Sequence, residues 1–153
     1  MKPYLRGILL AEDSARDVEL TLEALAEFHL ANEVTVVEDG VEALDYLFRR
    51  GKYEGRTGGP PAVVLLDIKM PRLNGIEVLR EIRASREYRS LPVVMLTSSR
   101  EERDILESYE VGSNAYVVKP VDFTEFIEAV KALGLFWAVI NESRPNGQTR
   151  PQE

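Results

Sequence analysis

Short runs of β-branched and aliphatic residues alternate along the chain with stretches whose apolar residues recur at helical spacing. Ile8 to Ala11 is the first apolar run. Ser14 stands where a helix cap is needed, and Val18, Leu22, Leu25 and Phe28 follow near helical spacing. Glu33 to Val37 predicts a second strand, and Val41, Leu44, Leu47 and Phe48 mark a second helix. Ala62 to Leu66 is apolar throughout, as a strand covered on both faces requires. Gly75 opens a third helix with Ile76, Leu79 and Ile82 inward, and Leu91 to Leu96 predicts a fourth strand. Ser98 or Ser99 caps a fourth helix, which Gly112 is suited to end. Ala115 to Val118 predicts the fifth strand. Asp122 starts the last helix, with Glu125 at capping-box spacing. Five such units with right-handed crossovers give an α/β fold: a five-stranded parallel, doubly wound sheet with helices on both faces.

Polar residues fall where this fold puts its ligand crevice, beyond the carboxyl ends of the strands. Leu9-Leu10-Ala11 runs into Glu12-Asp13, and Val63-Val64-Leu65-Leu66 into Asp67. Val93-Val94-Met95-Leu96 runs into Thr97, and Tyr116-Val117-Val118 into Lys119-Pro120. Carboxylates, a hydroxyl and an ammonium at one sheet edge suit a hard divalent cation and a phosphoryl group. Mg²⁺ takes oxygen ligands and keeps several waters. Asp13 and Asp67 are its expected direct ligands, Glu12 holds a metal-bound water, and the Lys69 carbonyl adds a further oxygen. Three gathered carboxylates repel one another and should raise at least one pKa. Asp67 ends the central buried strand and is the expected nucleophile toward phosphorus, forming an acyl phosphate. Lys119 neutralises charge on the transferring group, and the Thr97 hydroxyl bonds a phosphoryl oxygen.

Composition narrows the classes. A chain of 153 residues, 44% of them hydrophobic, makes one domain with a real core. That domain is expected over residues 1–141 with an extended last helix, followed by a polar, disordered tail over 142–153. The formal charge of −7 and a pI near 4.9 argue against a nucleic-acid partner. Without cysteine there is no disulfide and no thiolate chemistry. No long apolar stretch suggests a signal peptide or membrane span, so a cytoplasmic protein without membrane association is expected. Gly51 to Pro61 is rich in Gly and Pro, but Tyr53 follows Gly51-Lys52 where a phosphate-binding loop needs Ser or Thr. It enters a strand, at the wrong end of the sheet, and is read as a plain connector.

Up to about residue 133 the chain resembles the receiver domains of two-component response regulators. The resemblance is carried by Leu10-Ala11-Glu12-Asp13, Leu65-Leu66-Asp67-Ile68-Lys69-Met70-Pro71-Arg72-Leu73-Asn74-Gly75, Pro92 to Thr97, and Ala115 to Pro120. It implies the flavodoxin-like strand order 2-1-3-4-5. It also implies that Asp67 accepts phosphate from a phosphohistidine on a sensor kinase, that Thr97 and Tyr116 form a switch pair, and that Lys119–Pro120 is cis. Asn74 stands where many receivers carry aspartate, and Lys69 and Ser99 border the route of attacking water. The long loop after the second helix, Asp104 to Tyr109, Val118 to Phe123 and Phe136-Trp137 are similar to single-domain regulators that partner phytochrome-type histidine kinases and tend to form homodimers.

Blander readings exist for single residues. Tyr116 serves packing as well as it serves a switch, and the lone His29 reads as a surface residue. Leu133, Leu135, Phe136, Trp137, Val139 and Ile140 make the end of the last helix apolar nearly all round. That end either folds back on the core or forms a homodimer interface anchored by Phe136 and Trp137, with Leu106 and Tyr109 joining. The expected function is a phospho-accepting switch, with no turnover beyond its own phosphorylation and dephosphorylation. One alternative is a phosphorylation-independent dimerisation module. The other is a haloacid-dehalogenase-like phosphatase, which Lys69 opposes by standing where such enzymes carry a second aspartate.

Overall fold

The computed structural model describes residues 7–27, 34–98 and 115–132. Strands β1 (Ile8–Ala11), β2 (Val34–Val37), β3 (Val63–Asp67), β4 (Val93–Thr97) and β5 (Ala115–Val118) form one parallel sheet in the order β2-β1-β3-β4-β5. The described helices are α1 (Ala15–Ala26), α2 (Gly40–Phe48), α3 (Gly75–Ala84) and α4 (Phe123–Ala132). The helix expected between β4 and β5, with Ser99 and Gly112, lies outside the described residues. So do Phe28, His29, Glu33, the apolar stretch after residue 132 and the tail.

Strand pleating sorts the core into two layers. Alternate residues of a strand point to opposite faces. Leu9, Ala11, Val64, Leu66, Val93 and Met95 pack with Leu44 and Leu47 of α2 and Val78, Leu79 and Ile82 of α3. Ile8, Leu10, Val63, Leu65, Val94 and Leu96 pack with Leu25 of α1 and Phe126 of α4. Both faces of β1, β3 and β4 are covered, which accounts for their continuous apolar sequence.

Helix starts follow local side-chain chemistry. Ser14 Oγ accepts from the Asp17 amide at 3.2 Å, and Asp39 Oδ1 accepts from the Glu42 amide at 2.8 Å. Asn74 closes a full capping box: its Oδ1 accepts from the Glu77 amide while its own amide donates to Glu77 Oε1, both at 2.9 Å. Asp122 Oδ1 accepts from the Glu125 amide at 2.8 Å at the start of α4.

The segment Gly51 to Pro61 is more ordered than a plain connector. Gly51–Tyr53 forms a 3-10 turn. The Arg56 guanidinium stacks 4.0 Å from the Tyr46 ring centroid while its Nε donates to the Tyr46 carbonyl at 2.9 Å. Tyr53 donates its hydroxyl to Glu42 at 2.6 Å. The side chains of α2, not the glycines, fix this loop, which runs into β3 at its amino end.

Candidate functional site

Each site residue sits where a strand hands over to a loop. The Glu12 amide still donates to the Val37 carbonyl at 3.0 Å, so β1 pairing holds Glu12 in place; it is 1% exposed, whereas Asp13 faces solvent. Asp67 is the last residue of β3 and is 4% exposed. Thr97 ends β4 and is fully buried. The Lys119 amide donates to the Thr97 carbonyl at 2.7 Å just after β5, and the Lys119–Pro120 bond is cis. Lys69 lies in the loop two residues beyond Asp67 with its side chain exposed.

The pleat divides these groups between the two layers. Counting by twos from Ile8 and Leu10 puts Glu12 on the α1–α4 face, and counting from Val63 and Leu65 puts Asp67 there too. Thr97 counts from Val93 and Met95 onto the α2–α3 face, where Tyr116 is half-buried against the same cluster. Lys119 reaches into the first group: its Nζ lies 3.0 Å from Asp67 Oδ1, 3.2 Å from Glu12 Oε1 and 2.9 Å from Asp17 Oδ2. Carboxylate oxygens of Glu12, Asp13 and Asp67 all lie within 4.8 Å of one another. Asp17 is the residue that the sequence reading missed. Its position three residues after Ser14 is that of a helix first turn, and nothing in the local sequence points it at the crevice.

The loop between β3 and α3 is fixed from several sides. The Gly75 amide donates to the Ile68 carbonyl at 2.7 Å, and the Ile68 amide to the Leu96 carbonyl at 3.3 Å. Arg72, at φ 69°, makes two 3.0 Å hydrogen bonds to the Asp39 carboxylate, tying the loop to the start of α2.

Electrostatics explain what the crevice favours. Burial, and then the charge of Asp67, push the Glu12 carboxyl from 4.5 up to about 7, against the Ser14 amide and Lys119. Burial also raises Asp67, opposed by Lys119 and aided by Asp13. Burial would lower the Lys119 ammonium, but its bonds to Asp17 and Asp67 and the charges of Asp67 and Glu12 raise it. A single ammonium does not compensate these carboxylates. Closely spaced hard oxygen donors with leftover negative charge fit a divalent cation such as Mg²⁺. Thr97 Oγ1 is buried without a hydrogen-bond partner among the described residues, a hydroxyl free to meet an incoming oxygen.

A pH dependence follows for the metal-free protein. Over pH 4.5 to about 7 folded Glu12 holds a proton that the unfolded chain has released. The folded state then binds more protons, so stability falls as pH rises through that window. The contribution is present in full below 4.5 and lost above about 7. In chelator, Tm should fall between pH 4.5 and about pH 7, with Glu12 supplying up to about 3 kcal/mol. Glu12→Gln should flatten that slope. Equal slopes in calorimetry of wild type and variant would refute the assignment.

The family model for the response regulator receiver domain matches residues 8–131. The chain therefore belongs to the response-regulator receiver family of two-component signalling. It is 59% identical to the bacteriophytochrome response regulator AtBRR, whose structure superposes with a TM-score of 0.85 over 91% of this chain and 99% of that one. It is 35% identical over 130 residues to response regulator Rcp1 of Synechocystis sp., covering 85% of this chain and 87% of that protein. An Mn²⁺-bound form of Rcp1 superposes with a TM-score of 0.67 at 33% identity, over 98% of this chain and all of the other. The expected receiver fold, strand order and family hold. Leu106, Tyr109, Phe136 and Trp137, the expected dimer contacts, lie outside the described residues. Among the described residues no helix is long and apolar enough to cross a membrane.

Proposed function

We propose that Asp67 accepts a phosphoryl group from a phosphohistidine of a sensor histidine kinase. A carboxylate oxygen of Asp67 bonds to phosphorus while the phosphorus–nitrogen bond to the donor imidazole breaks, its electron pair returning to nitrogen. The carrying observation is a buried carboxylate held 3.0 Å from an ammonium, inside a cluster with Glu12 and Asp13. Glu12, Asp13, Asp67 and the Lys69 carbonyl would hold Mg²⁺. The ion supplies positive charge against the transferring phosphoryl oxygens. Lys119 supplies the fixed positive charge of the protein, and Thr97 Oγ1 donates to a phosphoryl oxygen. Thr97 and Tyr116 share the α2–α3 layer, which supports their reading as a pair that carries phosphorylation to the surface.

The partner kinase in this reading is phytochrome-type, supported by the identity to AtBRR. The protein is a cytoplasmic switch and not an enzyme with turnover. Homodimerisation through β5 and the last helix belongs to the same reading and rests on the apolar sequence Leu133 to Ile140. Neither the phosphatase nor the phosphorylation-independent module is favoured. In the experiment that tests the reading, the chain is treated with acetyl phosphate and Mg²⁺ and its intact mass is measured. A gain of one labile phosphoryl group, abolished by EDTA, is expected. No gain with acetyl phosphate, nor with a phosphorylated phytochrome-type kinase, would overturn it.

A further inference from the structure

The structure assigns to Asp17 the role of a positioning residue that anchors the Lys119 ammonium beside the phosphoacceptor, an inference that rests on the reading of Asp67 above. Asp17 occupies the third position after the Ser14 cap, where an acidic side chain ordinarily turns back to the cap amide. Asn74 and Glu77 close that loop on α3. On α1 it stays open, because the Ser14 amide donates instead to Glu12 Oε2 at 3.2 Å. The Asp17 carboxylate is released from the cap and lies 2.9 Å from Lys119 Nζ, the shortest of the three contacts that ammonium makes.

A lysine ammonium has three N–H donors on a flexible stem. Lys119 donates to Glu12 after β1 and to Asp17 on α1, and forms an ion pair with Asp67 at the end of β3, so its three partners come from separate segments. Asp67 is the acceptor that chemistry consumes. When a phosphoryl group sits on Asp67, the contact to its Oδ1 must be exchanged for a phosphoryl oxygen. Glu12 is drawn toward the cation-binding cluster. Asp17 belongs to neither group, so its bond can persist through the exchange and keep Nζ in register with the reacting oxygen. Geometry of this kind is worth rate, since a small displacement of a charged group from the reacting atoms costs far more than its own hydrogen bond.

Asp17→Ala and Asp17→Asn separate anchoring from other roles. Asparagine keeps an oxygen that accepts from Nζ but carries no charge, whereas alanine removes both. With saturating acetyl phosphate and Mg²⁺, Asp17→Ala should be phosphorylated roughly tenfold more slowly than wild type, and Asp17→Asn should recover to within about threefold. The Mg²⁺ concentration for half-maximal rate should stay within about twofold of wild type in both, because Asp17 offers no oxygen to the cation cluster. Both variants lose the acidic group of the first turn of α1, so their Tm values should fall together. Alanine as fast as wild type would overturn the role, and so would asparagine as slow as alanine or a rate loss that excess Mg²⁺ repairs. A wild-type chain that takes no phosphate from acetyl phosphate or kinase would sink the reading of Asp67 itself, an outcome visible before either variant is compared.

Discussion

Asp67→Asn is expected to lose the phosphoryl adduct completely and to gain thermal stability when metal is chelated. The amide has nearly the shape of the carboxylate but no anionic oxygen to attack phosphorus, so loss of labelling should be all-or-none in intact-protein mass. The gain in stability has a separate cause. Asp67 is 4% exposed, and burial holds its carboxyl above the ordinary range even with Lys119 in contact. A raised carboxyl pKa means that the ionised form is disfavoured in the fold relative to the unfolded chain, and a neutral isostere removes that cost. Lys119 keeps Glu12 and Asp17 as acceptors, so no buried charge is stranded. Calorimetry in EDTA reads the second effect. A variant still labelled to the wild-type extent would place the phosphoacceptor elsewhere. A variant less stable than wild type in EDTA would mean that the Lys119 contact outweighs the burial of Asp67.

Gly75→Ala should be strongly damaging for so small a substitution. A Cβ on Gly75 would overlap the carbonyl oxygen of Asp67 and stand 2.9 Å from Ile68 Cα. Both obstacles are backbone, and the Gly75 amide is itself bonded to the Ile68 carbonyl at 2.7 Å, so no side chain can turn aside to relieve the overlap. Either the start of α3 or the end of β3 has to move, and β3 is pinned between β1 and β4. Overpacking against rigid structure costs roughly 3 kcal/mol, which calorimetry would read as a marked fall in Tm. Because the displaced atoms belong to the proposed phosphoacceptor, labelling by acetyl phosphate should slow by roughly tenfold or more even in the folded fraction. Gly55→Ala is the control: a Cβ there meets nothing within 4 Å, and Tm and labelling should match wild type. Equal behaviour of the two variants would show that the close approach at Gly75 is tolerated.

Much of the fold is legible in sequence because each strand of a parallel sheet is buried on both faces. Ile8 to Ala11 and Val63 to Leu66 have no polar residue to disguise them. The site is legible for a related reason. Parallel strands bring all their carboxyl ends to one edge, so Glu12, Asp13, Asp67, Thr97 and Lys119 are neighbours in space once the strands are recognised. Two things escape such a reading. Ser14 and Asp17 have the spacing of a closed cap. That the Ser14 amide turns to Glu12 instead depends on how β1 delivers the chain to α1. Gly75 is readable as the opening of a helix, but its contact with the Asp67 carbonyl is a tertiary fact that spacing does not encode. The segment Gly51 to Pro61 misleads in the opposite direction. Its composition suggests looseness, while Tyr46, Tyr53 and Arg56 bind it down through ring and carbonyl contacts that no local pattern announces.

The pleat that separates Asp67 from Thr97 also separates two kinds of inheritance. The pairing of Lys119 with the buried carboxylates Glu12 and Asp67 is set in the layer beneath α1 and α4. The proposed switch pair draws its surroundings from the other layer, among the side chains of α2 and α3. Substitutions in one layer can retune how readily phosphate is taken and kept. Substitutions in the other can retune what its arrival does to the surface. A chain built this way can change its listener while keeping most of its chemistry, with Thr97, whose hydroxyl serves the phosphoryl group and whose neighbours lie in the second layer, as the one point where the two vocabularies meet.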